Sequence, residues 1–365
     1  MAETETPTSP APPPAMLAVF NQKGGVGKTT VACNLAVVLT AFGYRVLLVD
    51  LDTQGNASAS FGVAPLPAEG AFEVIAGRAD IADVALDTVY EGLWLLPATQ
   101  SLRDNDHLLA PSGRRRGLLE ARLAETGVDI VVVDCPPSLS AAGATALASA
   151  TAVLMPVRPD PFAHDGLVNT WYEVRRVRET VNYQLDVAGI LLTMTGTDPI
   201  GADVARVIRA EFGDQVLSTE IPADAAVAEA AQLGLPVAVL DPESRAGRAL
   251  LDATRETIDL LIRQNRHWGH LAPPAGEEAA LEQLRLWRST QHGDIPRRAA
   301  TPAWNPTTPR PASPPTPTAA PTPAEPAEGG AFSRSSWNKA LIFTAVFAAG
   351  MAVEALADLL GRMLR

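Results

Sequence analysis

Short apolar runs alternate with stretches of helical period from Met16 to Arg266. Residues 17–20, 45–50, 93–96, 130–134, 152–157, 189–193 and 215–219 read as strands, and 28–41, 117–125, 141–150, 166–181, 202–212 and 247–266 as helices. Several strands are unbroken apolar runs, as in Val131-Val132-Val133, rather than alternations. A strand of that kind has both faces buried, which a parallel sheet covered by helices requires. The pattern therefore predicts an α/β fold: a doubly wound, mainly parallel sheet with helices on both faces.

Outside this region the pattern changes. Residues 1–15 carry five prolines without any period and read as a disordered arm before a domain spanning 16–268. An accessory helix is predicted within 275–292, with Leu281, Leu284 and Trp287 on one face, to pack on the domain or on a partner. Residues 293–331 form a proline-rich linker, with ten prolines between 301 and 330. The segment 332–365 contains fourteen residues without a charge, 340–353. Glu354, Asp358, Arg362 and Arg365 then recur at helical spacing, so it reads as a C-terminal apolar to amphipathic helix.

Composition narrows the function. The 365 residues can bury a large core. Cys33 and Cys135 both fall in predicted core elements and give no disulfide framework, so a cytoplasmic location is expected. The acidic, proline-rich start lacks the basic and apolar regions of a secretory signal. A net charge of −12 has the wrong sign for a surface that attracts nucleic acid as a whole.

The candidate chemistry centres on Gln22-Lys23-Gly24-Gly25-Val26-Gly27-Lys28-Thr29-Thr30, between a predicted strand and a predicted helix. Glycines there let backbone N–H groups converge on phosphate oxygens, and the helix N-terminus adds partial positive charge. Lys28 can reach the β- and γ-phosphates, and Thr29 can hold Mg²⁺. Only three of the 29 basic residues are lysines, and two of them lie in this loop. Two further strands end in carboxylates: Asp50 and Asp52 in Val49-Asp50-Leu51-Asp52-Thr53-Gln54-Gly55-Asn56, and Asp134 in Val133-Asp134-Cys135-Pro136-Pro137. Carboxylates at the C-terminal edge of a parallel sheet can hold Mg²⁺ or orient a water. Cys135, with no basic partner nearby in sequence, reads as structural. His267 and His270 read as a solvated helix end, so no metal other than Mg²⁺ is expected.

Lys-Gly-Gly-x-Gly-Lys-Thr, with Gln22 where the common phosphate loop has glycine, resembles the deviant loop of the ParA/MinD ATPases. The strand ends at Asp50–Asp52 and Asp134 match that family's other two motifs in order. The resemblance covers roughly 16–266 and implies an ATPase using ATP and Mg²⁺. It implies that Lys23 crosses a homodimer interface to the partner's nucleotide and that Asp52 serves hydrolysis, supported by Asp50. Asp134 would hold Mg²⁺ through a water, and Pro222 of Ile221-Pro222 would lie near the base. Nucleotide binding would fall to Gly24, Gly25, Val26, Gly27, Lys28, Thr29 and Thr30. A ParB-like or other partner would stimulate hydrolysis, and the dimer would position a cargo such as a plasmid, chromosome region, organelle or protein cluster. Thr53 stands where the family has proline.

The resemblance stops at DNA binding. Family arginines normally lie after the strand ending here at Thr193 and in the segment after Ile221-Pro222. This chain has Met194-Thr195-Gly196-Thr197-Asp198-Pro199 and Ala223-Asp224-Ala225-Ala226. Phosphate contacts need such charges. Arg114, Arg115 and Arg116, or Arg175, Arg176 and Arg178, or Arg245 and Arg248, remain alternatives. The C-terminal helix offers another surface, and membrane contact is the reading preferred over self-association or docking on the core. It would make the chain peripheral or tail-anchored at the cytoplasmic face, and the runner-up function is a membrane-tethered nucleotide switch that recruits partners.

Overall fold

The computed structural model describes residues 12–109, 122–124, 126–196 and 198–290. The predicted helix 117–125 lies largely outside them. So do most of the N-terminal arm, the linker, the apolar C-terminal segment and Arg114 to Arg116.

The chain runs β1 (Ala15–Val19), α1 (Lys28–Ala41), β2 (Val46–Asp50), then three short helices α2 (Asn56–Ser60), α3 (Ala71–Ile75) and α4 (Ile81–Val84) where a loop was expected. Strands β3 (Leu86–Asp87) and β4 (Leu93–Leu96), helix α5 (Gln100–Asn105) and β5 (Ile130–Asp134) follow. The second half holds α6 (Ala141–Ser149), β6 (Ala152–Val157), α7 (Ala163–Thr180), β7 (Asp186–Thr195), α8 (Pro199–Phe212) and β8 (Ile221–Pro222). Helices α9 (Ala225–Leu233), α10 (Val237–Leu240), α11 (Arg245–Gln264) and α12 (Glu277–Thr290) close the described chain.

The sheet order is β3-β4-β2-β5-β1-β6-β7-β8, parallel except for the two-residue β3 at one edge. β1, β2, β5 and β6 are buried along their whole length. Their successive side chains divide between two cores. Leu17, Leu48 and Val132 face α1, α11 and α12, while Ala18, Leu47 and Val131 face α6 and α7. Each Leu or Val so removed from water stabilises the sheet by about 1.5–3 kcal/mol, which is why the runs alternate with neither polar nor charged residues.

One predicted strand is corrected. Residues 215–219 make only an isolated bridge, Ile190 to Val216, and the edge strand is the shorter β8. Gly213 and the 3₁₀ turn Gly213–Gln215 reverse the chain just before it, leaving little length to pair. Among the described residues no helix is long and apolar enough to cross a membrane.

Candidate functional site

The middle of the sheet brings the chemistry together. β5 lies between β2 and β1, with Asp50 the register partner of Asp134, and Asp134 in turn opposite Val19, where β1 ends and the glycine loop begins. Two carboxylates from distant parts of the chain thus end side by side at the C-terminal edge, next to the loop.

The loop passes into α1 through Gly27, whose φ of +85° puts the helix N-cap in the left-handed region. Gly25 adopts a similar φ of +73°. A residue with a side chain is strained at such angles. No side chain caps α1 and its first turn holds no acid, so its leading N–H groups remain available to an anion. The loop is fastened by residues the motif does not contain. Asn21 Nδ2 donates to the Pro156 carbonyl, and its Oδ1 accepts from the Lys23 amide and the Thr170 hydroxyl. On the other side the Thr193 hydroxyl donates to the Val26 carbonyl at 2.9 Å.

The two lysines have different surroundings. Lys28 is buried and donates to the Lys23 carbonyl at 3.0 Å. Burial lowers its pKa, and the charges of Asp134 and Asp52 act against that. Lys23 is part-exposed and its ammonium pairs with Asp160, which follows β6.

The three carboxylates differ as well. Asp50 Oδ2 accepts from both the amide and the hydroxyl of Ser58 at 2.7 Å, and its Oδ1 accepts from the Asp52 amide. Burial raises its pKa to about 6 against the pull of these bonds. Asp52 Oδ1 accepts from the Gln54 amide, which folds the following turn back over it. Asp134 is 0% exposed, and although the Thr29 side chain is close enough to favour its charged form, neither of its oxygens receives a well-formed hydrogen bond. Burial, and then the charge of Asp50, push its pKa well up. A buried carboxylate left without donors carries a large desolvation cost unless a cation offsets it. Lys28 and the part-buried Thr29 are the neighbours that favour its charged form. Mg²⁺ fits this donor set, because it is usually held by one or two carboxylates together with substrate phosphates rather than by a full protein cage. Among the described residues no group of three His, Cys, Asp or Glu is arranged to hold a metal unaided.

Two other residues that the sequence brought up flank this group, Pro222 beside the end of β7 and Cys135 directly after Asp134. Pro222 sits in edge strand β8, with β6 and β7 between it and β1; it pairs with Thr195. Cys135 is buried, with burial raising its thiol pKa first and Asp134 adding to the effect, as suits a core thiol rather than a nucleophile. The turns that lack arginine instead carry helix caps: Asp198 accepts from the Ile200 and Gly201 amides, and Asp224 from those of Ala226 and Ala246. Asn21, Thr170, Ser58 and Asp160 were not singled out by sequence as parts of the site.

Comparison with known proteins decides the family. Residues 15–187 match the family model described as an AAA domain. The chromosome partitioning protein ParA of Caulobacter vibrioides is 38% identical over 254 residues, 68% of this chain and 95% of that protein. This chain belongs to the ParA/MinD family of P-loop ATPases. The sporulation initiation inhibitor protein Soj of Bacillus subtilis is 36% identical over 245 residues, 66% of this chain and 97% of Soj. Among solved structures, cobyrinic acid a,c-diamide synthase of Mycobacterium smegmatis, with bound ADP and magnesium, is 30% identical with a TM-score of 0.58. It covers 72% of this chain and 98% of that one. The ParA/MinD match thus spans nearly the whole of its relatives, while about a third of this chain has no counterpart in them.

Proposed function

We propose that this chain binds ATP with Mg²⁺, dimerises around it, and positions or partitions an intracellular cargo, its hydrolysis stimulated by a ParB-like or other partner. The observation that carries the reading is the grouping of Lys23 and Lys28 in one uncapped glycine loop with Asp50, Asp52 and Asp134 at the same sheet edge. The loop amides and Lys28 bind the β- and γ-phosphates, Lys28 exchanging its bond to the Lys23 carbonyl for a phosphate oxygen. Thr29 and Asp134, with Asp50 behind them, would hold Mg²⁺, which when bound neutralises charge on the phosphate oxygens. Asp52 orients a water in line with the γ-phosphorus. The new P–O bond forms as the bond to the β-phosphate oxygen breaks, giving ADP and phosphate. Lys23 leaves Asp160 and reaches the nucleotide of a second copy. The higher identity to partitioning proteins, 38% and 36% against 30% for the synthase, favours cargo positioning over the chemistry of the synthase.

The surface on which the dimer rides is proposed to be a membrane, reached through residues 332–365 at its cytoplasmic face. Two features favour this: the charge-free run 340–353, and the acidic cap Asp198 in the first of the turns where family arginines would meet DNA; in the second, Asp224 is accompanied by Arg245, which donates to the Ala223 carbonyl. The test measures ATP turnover of the full chain beside Lys28→Ala and Asp52→Ala, then sedimentation with anionic liposomes and a mobility shift with nonspecific DNA, each under ADP and a slowly hydrolysed ATP analogue. Turnover lost in both variants, with liposome binding abolished by Phe343→Asp plus Phe347→Asp, supports the reading. A chain that neither binds nor hydrolyses ATP defeats the ATPase assignment, and ATP-dependent DNA binding without liposome binding defeats the membrane one.

A further inference from the structure

The ATPase resemblance ends near Arg266, yet α12 beyond it is built into the same core. Ala280, Leu281, Leu284 and Trp287, spaced one helical face apart, are buried against α1 and α10. The approach to α12 is also fastened. The Tyr44 hydroxyl donates to the Ala272 carbonyl, the Ala275 amide donates to the Phe42 carbonyl, and Arg255 donates to the Ala275 carbonyl from over the Phe42 ring. Further along, Arg285 of α12 pairs with Glu243, just before α11.

The last buried turn of α12 connects to the site. The Trp287 ring meets Tyr90 edge-on at a centroid distance of 5.1 Å, and Tyr90 meets Phe61 edge-on at 5.9 Å. Phe61 is the C-cap of α2, the five-residue helix containing Ser58. Ser58 in turn donates twice to Asp50 and accepts from the Ala98 amide. A helix this short has little stability of its own and takes its position from tertiary contacts. Three rings in edge-to-face contact are such a contact, stiff and closely packed.

We propose that α12 is a positioning element of the nucleotide site, acting through Trp287, Tyr90 and Phe61 on the segment 56–61 that holds Asp50 and follows Asp52. Trp287 is a positioning residue and touches no reacting atom. If α12 favours the arrangement of 50–61 that binds nucleotide, then by linkage a nucleotide that favours this arrangement also favours the docked α12. The nucleotide state is thereby passed to the helix from which the linker and the apolar C-terminal run depart. The proposal rests on the ATPase reading above.

The test uses the full chain, with Trp287→Ala and Trp287→Phe beside the unaltered protein. Two quantities are read: steady-state ATP turnover, and hydrogen exchange of 50–61 and 277–290 with and without a slowly hydrolysed ATP analogue and Mg²⁺. In the unaltered protein the analogue slows exchange in both segments. Trp287→Ala lowers kcat about tenfold with little change in KM, and abolishes the response of 277–290, while Trp287→Phe, which keeps an aromatic edge, restores most of both. If the unaltered protein binds and turns over ATP while 277–290 is indifferent to the analogue, the proposal is overturned. It is equally overturned if Trp287→Ala raises exchange uniformly, β1 and β5 included, since the helix then serves stability alone. A protein that neither binds nor hydrolyses ATP fails the ATPase reading instead, a separate result.

Discussion

The ammonium of Lys23 lies 2.5 and 2.6 Å from the two carboxylate oxygens of Asp160 in the same chain. Burial alone would raise the Asp160 pKa, but the bond from Lys23 and that from the Phe162 amide outweigh it and hold the carboxylate low. The side chain proposed to cross to a second copy is therefore engaged at home. Both partners are part-exposed, so the pair contributes about 1 kcal/mol at most. Such a contact can restrain Lys23 and still release it when a stronger acceptor, a phosphate, is offered. Because each copy gives up one such pair, Asp160→Asn is expected to tighten ATP-dependent dimerisation by up to about thirtyfold, the equivalent of about 2 kcal/mol. Sedimentation equilibrium with ATP reads this directly, and weaker dimerisation would mean that Asp160 itself belongs to the interface.

Ser58 links the site to the body of the domain, donating to Asp50 and accepting from the Ala98 amide at 3.0 Å. Ser58→Ala leaves that buried amide without an acceptor and Asp50 without one of its two bonds from residue 58. Stability should fall by about 1–3 kcal/mol in denaturant unfolding, and ATP turnover should fall with it. A variant as stable as the unaltered protein would show that water replaces the hydroxyl.

His164 on α7 gives a pH dependence away from the site. Its Nε2 lies 2.5 Å from Glu211 of α8, and Asp165 is also near. Burial lowers its pKa, but the bonds to Glu211 and Asp165 outweigh burial and the net shift is upward. A histidine raised on folding adds stability that is complete below its unfolded value of about 6.5 and is lost as pH rises through the higher folded value. Thermal melts of His164→Gln should thus lie below those of the unaltered protein near pH 6 and converge with them in mildly alkaline solution. The gap should stay within about 0.5 kcal/mol because the pair is half-exposed. A constant gap across this range would assign the difference to packing.

The parallel sheet and the residues of the loop were legible because their signals are local. An unbroken apolar run needs no partner to be recognised, and Lys23 to Thr30 are contiguous. Asp50 and Asp134 were legible one at a time as strand ends; that they are register partners follows only from β5 lying between β2 and β1. What sequence left unread is what folding alone assembles. Asn21 and Thr170 are separated by 149 residues, Lys23 and Asp160 by 137, and although Lys23 stands out in its own segment, the partner that holds it does not. The strand expected at 215–219 failed for a related reason: its apolar residues serve the core, but the preceding turn leaves only Val216 in position to pair.

In the proposed dimer ATP joins two copies through Lys23. The most direct measurement is sedimentation equilibrium of Asp52→Ala, chosen to keep ATP intact, with ATP and with ADP, beside the same variant also carrying Lys23→Ala. Doubled mass is expected with ATP only, and monomers for the double variant even though it still binds ATP. A double variant that dimerises as tightly, or a dimer indifferent to nucleotide, would contradict it.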